Sequence, residues 1–262
     1  MLVTSRPLDE YCGFFGLTRA ALHSLPGPVL DCPGGAAALA AEARALGCEV
    51  VAADPLYALP PADLLALART GRDVMAEAMR TSPRLYPARP QLHPEKYLRS
   101  WDRARTLFAA DRTAHPERYV AAALPQLPFA DGVFALTLSS YLLFAHPEHF
   151  TPEGRRDALL ELVRVTDPAG EVRVHPLHDG AGRRCPQLDA LRAELGRHGV
   201  ASGIEVHRVA GRPRRILRLR AVRGRAVRRR AGIRPSATSA PAGTSAPTGT
   251  RAVAAPGLRT WW

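Results

Sequence analysis

The chain has 262 residues, 36 basic against 24 acidic, and a formal net charge of +12. The excess sits at one end: no Asp or Glu follows Glu205 and 14 arginines do, which leaves 22 basic and 24 acidic groups in residues 1–205. The body of the chain therefore needs no polyanionic partner, and its length suits one α/β domain with an extension.

Cys12, Cys32, Cys48 and Cys185 form no C-x-x-C pair and no metal-like spacing. No apolar run approaches the roughly 18–20 residues a membrane helix needs. No basic region followed by an apolar core and cleavage site opens the chain. These features predict a cytoplasmic protein with reduced thiols and no membrane partner.

Residues 8–25 carry Leu8, Tyr11, Phe14, Phe15, Leu17, Leu22 and Leu25 on one side, which predicts a helix before the first strand that either packs on the body or caps the pocket. Val29-Leu30 then runs into Asp31. Cys32-Pro33-Gly34-Gly35 cannot continue a strand, and its glycines let backbone approach a ligand. Ala36 to Leu46 is helix material stopped by Gly47, and Val50 to Ala53 is a second strand closing on Asp54. Ligands of open parallel sheets bind beyond the strands' carboxyl ends, over a glycine turn, with an acid about 20 residues on for ribose hydroxyls. Gly34 and Gly35 with Asp54 match that arrangement.

Residues 63–79 and 95–111 read as two helices separated by a proline-rich loop, an insert over 60–112 that is long for a simple crossover and suits a lid or a thick outer layer. Arg118 to Ala122 is a weak third strand, and Val133 to Ser140 alternates as a fourth. Pro152 to Val165 is a helix with Asp167-Pro168-Ala169-Gly170 as its stop. Glu171 to Leu177 is a fifth strand, Cys185 to Gly199 a helix, and Ile204–Val209 and Ile216–Val222 two closing strands. From Arg223 the apolar period vanishes into arginine clusters and then Ala, Pro, Thr, Ser and Gly. Residues 223–262 are predicted to be a disordered tail behind a domain of residues 1–222.

The strand–turn–helix order, the acid after the second strand, the Leu-Pro-Phe-x-Asp-Gly segment before the fourth and the closing strand pair resemble the class I S-adenosylmethionine-dependent methyltransferases. Within that family the chain looks most like bacterial small-molecule methyltransferase-like proteins of uncertain substrate. The resemblance covers residues 8–222, and LPQLPFADGVFALTLSSYLLF at 124–144 is its most specific piece. It implies a Rossmann-like, doubly wound, mostly parallel seven-stranded sheet with an antiparallel last strand. It implies S-adenosylmethionine as cofactor, its methionine part at Asp31, Cys32, Pro33, Gly34 and Gly35, its ribose at Asp54 and its adenine near Ala123 and Leu124. Ser139, Ser140 and Tyr141 would face the sulfonium and a small-molecule substrate. The chain departs from the family at Pro33 and Ala37, where the glycine motif has Gly, at Ala123, where an acid is common, and at Ala135 after Phe134.

Methyl transfer from a sulfonium mainly needs two reactants held in line, and a base helps only hydroxyl or ammonium acceptors. Tyr141, His146 and His175 are the candidates for orienting or deprotonating an acceptor. His146 and His149 have an H-x-x-H spacing without an evident third ligand, so no metal is expected. Cys32 reads as a small buried residue rather than a reactive thiol. Three other readings compete: a nicotinamide-dependent oxidoreductase, which expects G-x-G-x-x-G where this turn has P-G-G-A-A-A; a non-catalytic binding or regulatory protein of the same fold; and nucleic-acid binding, which would be weak, salt-dependent and confined to the arginine tail.

Overall fold

The computed structural model describes residues 2–82, 93–209 and 211–222. The 223–262 extension, and with it the expected disordered tail, lies outside the described residues. Seven strands form one sheet: β1 (Val29–Asp31), β2 (Val50–Ala53), β3 (Tyr119–Val120), β4 (Phe134–Ser140), β5 (Thr166–His175), β6 (Val200–Val209) and β7 (Arg212–Ala221). Their order is β3-β2-β1-β4-β5-β7-β6. The first five run parallel, and β7 enters antiparallel between β5 and β6. The fold class expected from the sequence is the one observed.

Among the described residues seven helices cover the sheet: α1 (Leu8–Phe15), α2 (Arg19–His23), α3 (Leu39–Arg44), α4 (Pro61–Thr81), α5 (Pro94–Ala114), α6 (Pro152–Val165) and α7 (Leu188–Arg197). Alternation along the strands divides the core. Val29, Leu136 and Leu138 pack with α1 to α4 and with Phe108 of α5, whereas Leu30, Phe134, Val172 and Val174 pack with α6 and α7. A third cluster, Met75, Met79, Leu98 and Trp101, joins α4 to α5. No helix among the described residues is long and apolar enough to cross a membrane.

Several elements differ from their expected bounds for local reasons. The helix expected over 8–25 breaks at Gly16, which takes φ +62° and lets Leu17 N–H return to the Cys12 carbonyl. The helix expected from Ala36 begins at Leu39, because the Ala36 and Ala38 amides bond to carbonyls of the N-terminal segment. The Asp167–Gly170 segment does end α6, but it lies inside β5 as an irregularity in the pairing with β4. A Cβ at Gly170 would meet the Ala135 carbonyl, so glycine is required there. β6 and β7 begin earlier than their apolar residues suggest, because the two strands pair with each other without a break from Val200–Ala221 to Val209–Arg212. Glu171 takes ion pairs from Arg173, Arg218 and Arg220, and Glu205 takes one from Arg218.

Two glycines in helices should respond to alanine with opposite signs. A Cβ at Gly71 in α4 would meet the Val3 carbonyl oxygen, whereas one at Gly196 in α7 would meet nothing within 4 Å. Overpacking against backbone costs about 1–3 kcal/mol, more than the ~1 kcal/mol of helix propensity that alanine returns. Gly71→Ala should lower the urea midpoint, and Gly196→Ala should raise stability by roughly 0.5–1 kcal/mol.

Candidate functional site at the carboxyl edge of the sheet

The turn after β1 is held by the acid after β2. Asp54 Oδ2 accepts the Gly35 N–H at 2.9 Å, and Oδ1 accepts the Leu56 N–H at 2.9 Å, capping a short 3-10 turn at Pro55–Ala58. Gly35 takes φ +53° and its carbonyl accepts the Tyr57 hydroxyl at 3.0 Å. A side chain at Gly34 would collide with that hydroxyl and with Ala52. The two glycines therefore make room for protein as well as bringing backbone to the sheet edge.

The N-terminal segment lies across this turn. The Thr4 carbonyl accepts the Ala36 N–H at 3.1 Å and the Arg6 carbonyl accepts the Ala38 N–H at 2.9 Å. Arg6 is buried, with its guanidinium 4.0 Å from the Tyr141 ring centroid, 5.1 Å from Phe14 and 5.3 Å from Trp101. Its charge is met by Glu10 at 2.6 Å. Glu10 also accepts the Trp101 indole N–H at 2.8 Å and the Tyr97 hydroxyl at 3.1 Å, so the inserted helix α5 reaches over the same edge.

Beyond Arg6 lie the ends of β1, β4 and β5. Asp31 Oδ2 accepts the Tyr11 hydroxyl at 2.8 Å. Tyr141, the first residue past β4, takes φ +51°, a left-handed conformation that costs a non-glycine residue about 1–2 kcal/mol. Its N–H bonds to the His175 carbonyl at 2.7 Å. The His175 ring stacks on Phe14 at 4.9 Å and meets Tyr141 edge-on at 5.6 Å, with Nδ1 at 3.2 Å from the Arg215 carbonyl. Ten buried side-chain polar atoms among the described residues have no hydrogen-bond partner, and five belong to this edge: Ser5 Oγ, Arg6 Nε, Asp31 Oδ1, Ser139 Oγ and His175 Nε2.

Burial drives the ionisable groups here toward their neutral forms. Asp54 is raised from 3.8 to about 6 by desolvation, against the opposing bonds from Leu56 and Gly35. Asp31 is raised well above the carboxylate range by desolvation and, further, by the neighbouring Asp54 charge. His175 falls to about 3, again through desolvation first. The Cys32 thiol is raised by burial and by both aspartates, so it stays protonated and fits the reading of a small packed residue.

The residues expected at the site divide accordingly. Asp31, Cys32, Pro33, Gly34, Gly35, Asp54, Ser139, Ser140, Tyr141 and His175 all lie at the carboxyl ends of β1, β2, β4 and β5. Ala123 forms an isolated bridge with Gln126, and Leu124 is buried in the α6–α7 core beside Leu127 and Phe134. The segment that follows is clamped by α6: Glu161 accepts the Leu127 N–H, and Arg164 bonds to Glu161, to the Leu127 and Phe129 carbonyls and to Asp131. His146 instead meets Glu148 and His149, at the start of the 3-10 turn Pro147–His149. Sequence reasoning missed Arg6, Glu10 and Tyr57, which carry no motif; only the apolar face of α1 hinted that something packs over the turn.

No protein-family model matches the chain. An uncharacterized protein of Methanocaldococcus jannaschii is 22% identical over 197 residues, covering 74% of this chain and 85% of that protein. Among solved structures, the magnesium protoporphyrin IX methyltransferase of Synechocystis PCC 6803 with bound SAM is similar at a TM-score of 0.43 and 15% identity, over 82% of this chain and 78% of the other. The 1,6-didemethyltoxoflavin-N1-methyltransferase of Burkholderia thailandensis with S-adenosylhomocysteine is similar at a TM-score of 0.43 and 19% identity, over 78% and 76%.

The Asp54 shift has a definite sign in stability. The folded carboxyl keeps its proton to about pH 6 and the unfolded one loses it near 3.8, so the folded state binds more protons in between. This group's contribution therefore falls as pH rises through that window, by about 3 kcal/mol at ~1.4 kcal/mol per unit. A carboxyl ¹³C resonance titrating near pH 6, and absent from Asp54→Ala, is the expected signature; titration near 4 would refute it.

Proposed function

We propose that this edge binds S-adenosylmethionine and directs methyl transfer to a small-molecule acceptor. The observation that carries the reading is the meeting of Asp31, the Gly34–Gly35 turn, Asp54 and the Ser139–Tyr141 strand end at neighbouring carboxyl ends of β1, β2 and β4. Asp54 would take the ribose hydroxyls, residues 31–35 the methionine part, Ala123 and Leu124 the adenine, and Ser139, Ser140 and Tyr141 the reacting end. The unpartnered buried atoms on Asp31, Ser139 and His175 suit a ligand with ammonium and hydroxyl donors.

The cofactor, when bound, supplies its own electrophile and leaving group. The protein's part is to exclude water and align an acceptor. A buried histidine with a pKa of about 3 takes no proton at neutral pH, so His175 orients through Nε2 rather than acting as a base. Tyr141 meets the His175 ring edge-on and Phe14 stacks on it, and this aromatic cluster would wall the place of an acceptor. Entry requires the Thr4–Arg6 segment to release the Ala36 and Ala38 amides. That closed arrangement favours a second reading, a non-catalytic protein of the same fold.

Calorimetry with S-adenosylmethionine and S-adenosylhomocysteine, with NAD as control, separates the two readings from the oxidoreductase one. Asp54→Asn should weaken binding at least tenfold, since charge-assisted bonds are worth about 1.5–3 kcal/mol each. Because a cationic ligand binds best beside an ionised Asp54, wild-type affinity should be about tenfold lower at pH 5 than at pH 7. No heat at millimolar ligand, in protein that melts cooperatively, would leave the non-catalytic reading.

A further inference from the structure

The turn after the β4 end carries two histidines three residues apart, and the structure supplies a third donor from between them. His146 Nδ1 lies 3.3 Å from Glu148 Oε1, and His149 Nε2 lies 3.7 Å from the same oxygen. One donor atom from each of the three residues falls within 4.8 Å of the others. A tetrahedral zinc ion with bonds of about 2.0–2.1 Å spaces its ligands about 3.3–3.4 Å apart, so two of the three edges are already near that length.

We propose that His146, Glu148 and His149 form a binding site for a divalent transition-metal ion, zinc foremost. The donors sit on a constrained turn. Pro147 opens a 3-10 turn at Pro147–His149, the His149 N–H returns to the His146 carbonyl at 3.1 Å, and the His146 N–H is anchored to the Leu142 carbonyl at 3.2 Å. The buried run Leu142–Ala145 precedes it, and Phe150, packed against the α6–α7 core, follows. Little further ordering is needed on binding.

The charge surroundings agree. The chain is rich in arginine, and buried Glu161 and Glu171 both pair with it. Glu148, by contrast, has the two imidazoles as its ion-pair partners among the described residues. Two imidazoles and one carboxylate suit zinc, with copper and nickel as chemical competitors, and disfavour magnesium and calcium, which take oxygen ligands. Three protein donors leave a fourth position for water or an incoming donor, the pattern of an open rather than a closed structural site. The side chains are partly exposed, so the ion can enter without unfolding.

This proposal does not depend on methyl transfer. Titrating zinc chloride into the full chain by calorimetry should give one strong site per chain. His149→Ala and Glu148→Gln should each raise the Kd at least tenfold, and Cys185→Ser should leave it unchanged. Cobalt substitution provides a second readout: wild type should show tetrahedral d–d absorption without a thiolate band, and His149→Ala should lose it. Melting of the variants without metal checks that each still folds. Absence of zinc binding in wild type, or wild-type affinity in either His149→Ala or Glu148→Gln, overturns the three-donor site.

Discussion

The buried carboxylate of Asp54 is the constraint on which the sheet edge depends. It accepts two backbone N–H groups, one from the turn after β1 and one from the turn after β2. A buried acid with unpaired oxygens would be costly, so the two donors and the acid fix one another. The consequence spreads outward. Tyr57, placed by the 3-10 turn that Asp54 caps, bonds to the Gly35 carbonyl, and the Tyr57 and Leu59 carbonyls accept Arg112 of α5. One residue earlier, Asp111 accepts Tyr119 of β3 and Arg44 of α3. The carboxyl half of α5 is thus tied to the sheet and to α3. Of the two roles open to the helical insert, this half is a fixed outer layer, while Tyr97 and Trp101 at the other half meet Glu10 over the candidate site.

Much of the fold was legible because short-range patterns determine it. The Val29–Asp31 run, the glycine turn, the alternating Val133–Ser140 stretch and the helix at 152–165 each announce their own conformation. What periodicity gives is a face, not a partner. Tyr11 is 20 residues from Asp31 and Trp101 is 91 from Glu10, so nothing local signals either bond. The same holds for the helix start at Leu39, where strong helical residues yield to carbonyls from Thr4 and Arg6. Intrinsic propensity is a matter of tenths of a kcal/mol per residue, less than a pair of buried hydrogen bonds.

The candidate site shows the same division. Asp31, Gly35 and Asp54 were recognisable from spacing, because their positions follow from the strand–turn–helix unit itself. Their state was not. An Asp at a strand end reads as an ionised, solvated acceptor, yet both aspartates are buried and shifted toward neutrality, and the one partnered oxygen of Asp31 is taken by a tyrosine from another element. Arg6 escaped notice because it sits before the first helix in a segment without pattern, and only tertiary structure lays it on Tyr141.

These shifts bear on what kind of chemistry the edge can support. Asp31, Asp54 and His175 are all driven toward neutral forms by burial, and Arg6 is the one buried cation among the groups described there, already paired with Glu10. Such a place is poor at moving protons at neutral pH, because its histidine takes none and Asp54, shifted only to about 6, has already lost its own while both its oxygens accept backbone N–H groups. It is well suited to a reaction in which the protein supplies position and exclusion of water while the reactants supply charge. Transfer from a sulfonium has that character: the leaving group departs neutral and no proton need move in the bond-making step. A carboxylate that is reluctant to ionise alone becomes easier to ionise beside a cation, and the cation is held more tightly for the same reason. The burial that makes Asp54 costly in the empty fold would then sharpen its preference for a positively charged ligand.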